Sequence, residues 1–183
     1  QGRVCQHRLT SFYLNKFSPV VRMRLLLAEE RLFAERISAA AAVIAGSSTC
    51  AKSQRGVIFV RDGSIIGCGS NGPPPGFSCD GVVCRARCSD YAVHAEKRAM
   101  FDAMRSGHSL VGARGYHVKL RDGVAVASSV PSCEQCSKDM LDAGIAEFVL
   151  QDERGYVCYA LDEFHRLTLE HVAGREFVQL VKK

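Results

Sequence analysis

The 183-residue sequence contains no run of about 18 uncharged apolar residues. Even the Ala-rich stretch from Ile37 to Ala45 is short and flanked by charge, so a membrane span is excluded. It also lacks a recognisable signal peptide, an internal repeat and a low-complexity linker, which argues against a secreted disulfide scaffold and for one domain. Acidic residues are absent from Gln1 to Ala28, where Arg3, Arg8, Lys16, Arg22 and Arg24 interleave with Phe12, Tyr13 and Phe17. Such an arm could grip phosphates and stack bases. The simpler reading, preferred here, is a loosely ordered terminal arm that packs on the domain or on a neighbouring subunit.

What is present suffices for a sizeable core, with 47% hydrophobic and 23% charged residues. The expected organisation is a basic N-terminal arm, 1–21, followed by a single domain, 22–183. Nine cysteines without a signal peptide point to metal ligands in a reducing, cytoplasmic setting. The net charge of +5 suits anionic substrates such as nucleotides but falls short of a composition that coats nucleic acid.

Apolar residues at Leu25, Leu26, Leu32, Phe33, Ile37, Ala40, Val43 and Ile44 recur near helical spacing, which predicts one long helix over Arg22 to Ala45 ending at Gly46, with this apolar stripe in the core. Gly56 to Val60 and Ile65 to Gly69 flank Asp62-Gly63, a strong hairpin signal. After a loop rich in Gly, Pro and Cys, the pattern predicts a helix over Val93 to Ser106, a strand over Gly115 to Leu120, a helix over Cys133 to Ala143 and a strand over Ala146 to Leu150. A helix over Leu161 to Val172 and a short last strand over Glu176 to Val181 complete the chain. This order fits an α/β fold, one sheet with helices covering its faces.

The sharpest chemical signal is His94-Ala95-Glu96 opening one helix and Cys133-Glu134-Gln135-Cys136 opening another. One imidazole and two thiolates form a donor set for a catalytic zinc that keeps an open position. CxxC at a helix N-terminus brings both sulfurs to one side, and the unpaired N–H groups favour the thiolate. Glu96, two residues beyond His94, is placed to reach the water on the metal and act as a proton shuttle. HxE followed by PCxxC is the signature of zinc nucleobase deaminases, matched here except for one residue between the Pro and the first Cys. Zinc lowers the pKa of its water, the hydroxide attacks C4 of a cytosine, and Glu96 relays protons to the ring nitrogen and the departing amino group. By contrast, Gly67, Gly69 and Gly72 satisfy GxGxxG, but Pro73-Pro74-Pro75 blocks the helix that a dinucleotide site needs.

From about Glu30 to Asp152 the sequence resembles the cytidine and deoxycytidylate deaminase superfamily, most closely the zinc-dependent dCMP deaminases. Ser48-Thr49-Cys50-Ala51-Lys52, Gly67-Cys68-Gly69-Ser70-Asn71-Gly72-Pro73-Pro74, Val93-His94-Ala95-Glu96 and Asp142-Ala143-Gly144-Ile145 carry the likeness. It implies a three-layer α/β/α fold with a five-stranded mixed sheet, and a homo-oligomer, since relatives form hexamers or dimers. It also implies that Asn71 binds the nucleotide sugar; Ala95, Arg98 and His117 are further candidates for substrate contact. Arg98 stands where relatives commonly have Asn and would meet a phosphate or pair with Asp102 at i+4.

Two departures stand out. One residue, Ser132, separates Pro131 from Cys133, and Arg121 to Val130 forms an extra linker, part of which can form a β-hairpin. A second cysteine set, Cys50, Cys79, Cys84 and Cys88, matches a closed structural zinc site. The resemblance supports that for Cys50 and Cys79; buried thiols are the alternative. The expected activity is deamination of a cytosine nucleotide, dCMP to dUMP. The alternatives are deamination of cytosine or adenine in single-stranded DNA or RNA, and a non-catalytic zinc-stabilised binding module.

Overall fold

The computed structural model describes residues 23–79, 91–128 and 133–181. The expected arm at 1–21, Cys84, Cys88 and the Pro131-Ser132 step lie outside the described residues. Along the chain come β1 (Met23–Leu25), α1 (Ala28–Gly46), β2 (Gln54–Arg61), β3 (Ser64–Ser70), α2 (Ala95–Arg105), β4 (Arg114–Arg121), β5 (Val124–Val126), α3 (Glu134–Asp142), β6 (Glu147–Asp152), β7 (Gly155–Ala160) and α4 (Leu161–Val181). The strands form one mixed sheet in the order β1-β7-β6-β4-β2-β3, with β5 beside β4. All pairs are antiparallel except β4 with β6, which α3 connects.

β2 reads Gly-Val-Ile-Phe-Val without polar interruption because helices cover both sheet faces. Val57 and Phe59 point into the core shared with α2, α3 and α4, where Met140, Phe148 and Phe164 are buried. Ile58 and Val60 face the opposite core with Tyr116, Val118 and the alanines of α1. A fully buried side chain of this size contributes about 1.5–3 kcal/mol. The result is the expected three-layer α/β/α arrangement. Both Asp-Gly steps turn as the sequence signals: Asp62 and Gly63 have φ of 51° and 75°, and Asp122 and Gly123 have φ of 52° and 77°. Positive φ at both central residues matches the twist of a two-residue hairpin, and the second of these turns makes the expected hairpin in the 121–130 linker.

Four expectations are corrected. The sheet has seven strands rather than five, because the three-residue β1 and β5 join β2, β3, β4, β6 and β7. The helix expected from Arg22 begins at Ala28, since Met23–Leu25 pairs instead with β7 and Leu26 N–H donates to Tyr156 O at 2.8 Å. The strand expected at Glu176–Val181 is the end of α4. Phe177, Val178, Leu180 and Val181 satisfy helical spacing as well as that of a short apolar strand, and Gly174 is tolerated within the helix. Finally, Leu32 and Val43 are 61% and 76% exposed; the buried face of α1 is Ala34, Ile37, Ser38, Ala41 and Ala45. Small residues are required there. A Cβ on Gly56 would sit 2.2 Å from Ala41 O, so α1 lies directly on β2.

Candidate active site

α2 lies equally close on the other face of the β2–β3 hairpin. Cβ atoms on Gly67 and Gly69 would come within 2.4 Å of Ala99 O and 2.5 Å of Ala99 N. Paired hydrogen bonds between Gly72 and Val93, 2.9 and 3.1 Å, bring the residue after β3 beside the residue before His94. These contacts set the start of α2 against the end of β3. An ion pair of Lys97 Nζ with Asp139 Oδ2, 2.9 Å, joins α2 to α3. Both partners are partly exposed, so the pair orients more than it stabilises.

His94 is the extended N-cap of α2 and Cys133 the N-cap of α3. Cys136 N–H donates to Cys133 Sγ at 3.3 Å, and Cys136 Sγ lies 3.3 Å from His94 Nδ1. The ligand atoms of His94, Cys133 and Cys136 all lie within 4.8 Å of one another. The Cys133 thiol is held well below its usual range, first by the hydrogen bond from Cys136, with His94 adding to it. Cys136 is pushed up by its hydrogen bond with Cys133 and by burial. The hydrogen bond to Cys133 raises His94 against the effect of its burial, with Glu96 adding to it. A neutral or thiolate N/S₂ set this close suits zinc, with a fourth position left over. Among the described residues this is the only cluster of three such donors.

Glu96, in the first turn of α2, lines a cavity of about 270 Å³ with His94, Ala95, Cys133, Arg55 and Asn71. A small cavity of about 20 Å³ below it is lined by Glu96, His117, Cys133 and Cys136. His117 is 4% exposed, and burial pushes its pKa down to about 4. Arg55 Nη1 donates to His117 Nε2 at 3.2 Å, so the proton of the neutral ring is on Nδ1, which has no partner among the described residues. Asn71 is 6% exposed. Its Oδ1 accepts from Ser48 Oγ and Arg55 N–H, both at 2.8 Å, and its Nδ2 donates to Ser53 O at 2.9 Å. One amide N–H is left over.

Arg98 does not form the i+4 pair with Asp102 that the sequence offered. It donates to the carbonyls of Ser70, Gly72 and Pro73, clamping the end of β3 onto α2. Asp102 instead accepts from Cys68 N–H at 2.9 Å and lies 3.9 Å from Arg105. Of the second cysteine set, Cys79 Sγ accepts from Ala51 N–H at 3.5 Å, next to Cys50. Sequence reasoning missed Arg55. The available signal was register: with side chains alternating along β2, Arg55 shares the face of Val57 and Phe59.

No curated protein matches the chain by sequence. Residues 32–151 match the family model of the cytidine and deoxycytidylate deaminase zinc-binding region. Among solved structures, dCMP deaminase from the cyanophage S-TIM5 in apo form is similar at 25% identity and a TM-score of 0.51, over 64% of this chain and 80% of that one. Cytidine deaminase from Burkholderia pseudomallei shares the fold at 18% identity and a TM-score of 0.51, over 71% of this chain and 94% of that one. The matched segment runs from within α1 through β6 and so holds both helix N-termini that carry the donor cluster, which makes this chain a member of the cytidine and deoxycytidylate deaminase family.

Proposed function

We propose that the protein hydrolyses the exocyclic amino group of a cytosine nucleotide, converting dCMP to dUMP and ammonia. The observation that carries this reading is Glu96 lining one cavity with His94 and Cys133, two members of the N/S₂ cluster. The similarity to a phage dCMP deaminase supports the choice of nucleotide. His94, Cys133 and Cys136 would hold the metal; zinc, when bound, supplies a Lewis acid that makes water nucleophilic near neutral pH. Glu96 accepts a proton from the attacking water as the oxygen adds to C4 and delivers it to ring N3. It then carries the second proton to the amino group, so that the C4–N bond breaks, ammonia leaves and the carbonyl forms. Asn71 presents its remaining amide N–H to the sugar, Ala95 closes the wall beside the base, and His117 supports the floor beneath Glu96. The test is an ammonia-release assay with dCMP, CMP, deoxycytidine and cytidine on the zinc-loaded protein. Turnover of dCMP supports the reading, and no turnover of any cytosine compound overturns it.

A structural zinc on Cys50, Cys79, Cys84 and Cys88 belongs to the same proposal, supported by the approach of Cys79 to the residue following Cys50. Metal analysis should give about two zinc ions per chain, falling to about one in Cys50→Ser. A content of one in the unaltered protein rules the second site out.

A further inference from the structure

A trough of about 500 Å³ lies beside the catalytic cavity and shares Cys50, Lys52, Ser53 and Arg55 with it. Its other walls are built from the end of β4 and the Asp122 turn, where Lys119, Leu120 and Arg121 line it. The sheet register explains the arrangement. Arg55 on β2 is the direct cross-strand partner of Lys119 on β4, and Val57 that of His117. Side chains alternate along a strand, so His117, Lys119 and Arg121 project from the same face of β4. They form a row of nitrogen-bearing side chains running from beneath Glu96 to the hairpin, with Arg55 alongside at the junction of the two cavities. Lys52 adds a further cation from the loop before β2.

Among the described residues no carboxylate neutralises these charges. Among the described residues none of Lys52, Arg55, Lys119 and Arg121 is in a salt bridge, although eleven other cation–carboxylate contacts occur across the structure. Asp122 is the single carboxylate among the lining residues of the trough. The Lys119 ammonium is pulled down by burial and by repulsion from Arg55 and Arg121. Four adjacent cations along a concave wall create a field that favours an anion of matching extent. The trough is also larger than the cavity that takes base and sugar, which leaves space beyond a first phosphate.

We propose that this trough binds the phosphate esters of the substrate, holding oxyanions attached to the nucleotide whose base occupies the cavity beside Glu96. Arg55 and Lys119 meet the phosphate nearest the sugar, and Lys52 and Arg121 meet the next. This rests on the deaminase reading and deepens it. The same chemistry has two sources, the polyphosphate tail of a free nucleotide or the following phosphodiesters of a single strand.

The experiment uses the zinc-loaded full chain, the Lys52→Glu/Arg121→Glu pair at exposed positions, and Lys119→Met, which keeps the aliphatic stem. The first readout is kcat/KM for deoxycytidine, dCMP, dCTP and a short oligodeoxycytidylate. The ratio of each phosphorylated substrate to deoxycytidine should fall about tenfold or more in both variants. Ratios within about twofold of the unaltered protein overturn the proposal. A gain from dCMP to dCTP without one for the oligonucleotide assigns the tail, and the reverse assigns the strand. The second readout is independent of deamination: anisotropy of a labelled short oligothymidylate, with pyrophosphate as competitor. Both variants should bind it about tenfold more weakly, with a shallower salt slope, each lost phosphate contact removing about 0.7 from it. If no cytosine compound turns over, the deaminase reading fails while this measurement still decides the trough. Unchanged binding and slope overturn it.

Discussion

At the residue scale the chemistry is concentrated in one acid and one imidazole. On the proposed reading, Glu96→Gln removes the proton acceptor without touching a metal ligand, so zinc content and thermal midpoint should be retained while turnover falls by about 10²–10⁴-fold. Metal analysis beside a single-turnover assay checks this; loss of zinc in the variant would make Glu96 a ligand instead. His117 sets a pH dependence whose sign follows from its burial. Its folded pKa of about 4 lies below the ordinary 6.5, so above pH 6.5 both folded and unfolded states hold it neutral and its contribution is complete. As the pH falls from 6.5 towards 4, the unfolded chain takes up a proton that the folded site refuses, and the metal-free protein should lose about 3 kcal/mol of stability. Urea midpoints measured across that window should show this slope, and His117→Gln should flatten it. His94, Glu96, Cys133 and Cys136 were legible from the sequence because their spacing is local, within one helix start each. The contact between Arg55 and His117 was not, since the two are 62 residues apart and meet only through the register of β2 with β4.

At the element scale, the helix that carries His94 and Glu96, α2, is positioned by the absence of side chains at Gly67 and Gly69 of β3. A Cβ on Gly69 would meet Ala99 N at 2.5 Å and Arg98 Cβ at 2.6 Å, so Gly69→Ala must push α2 away from β3. Overpacking of this kind costs about 1–3 kcal/mol. Because His94 and Glu96 ride on that helix, zinc affinity should fall together with the thermal midpoint; a stability loss with zinc affinity unchanged would separate the packing from the site. Arg98→Met keeps the aliphatic packing and removes the guanidinium donor from the carbonyls of Ser70, Gly72 and Pro73, of which Gly72 O still accepts from Val93 N–H. Unfolding should then become easier by about 1–3 kcal/mol in chemical denaturation. The Asp62-Gly63 and Asp122-Gly123 turns were readable because two residues fix their own backbone geometry. β1 and the far end of α4 were not. Met23–Leu25 has a residue pattern that suits a first helical turn, and only the open edge of β7 makes it a strand.

At the scale of the whole molecule, the three layers place two helix N-termini at one end of the sheet, where the linker between β4 and α3 builds the side of the trough. Stripping the zinc with a chelator should lower the thermal midpoint, since the metal binds the folded arrangement and not the unfolded chain. Calorimetry before and after re-addition of zinc checks this, and an unchanged midpoint would mean that the donor cluster contributes nothing to folding. Among the described residues no helix is long and apolar enough to cross a membrane, in agreement with the absence of long apolar runs. By itself the sequence determined the donor set, the acid beside it, the hairpins and the layered α/β class, because each depends on residues near one another in the chain or on periodicities of two and 3.6. Tertiary structure alone decided which cations surround the cavity, which face of α1 is buried and what Arg98 holds. Those outcomes depend on strand register and on how closely backbones approach, quantities set by contacts between segments far apart along the chain.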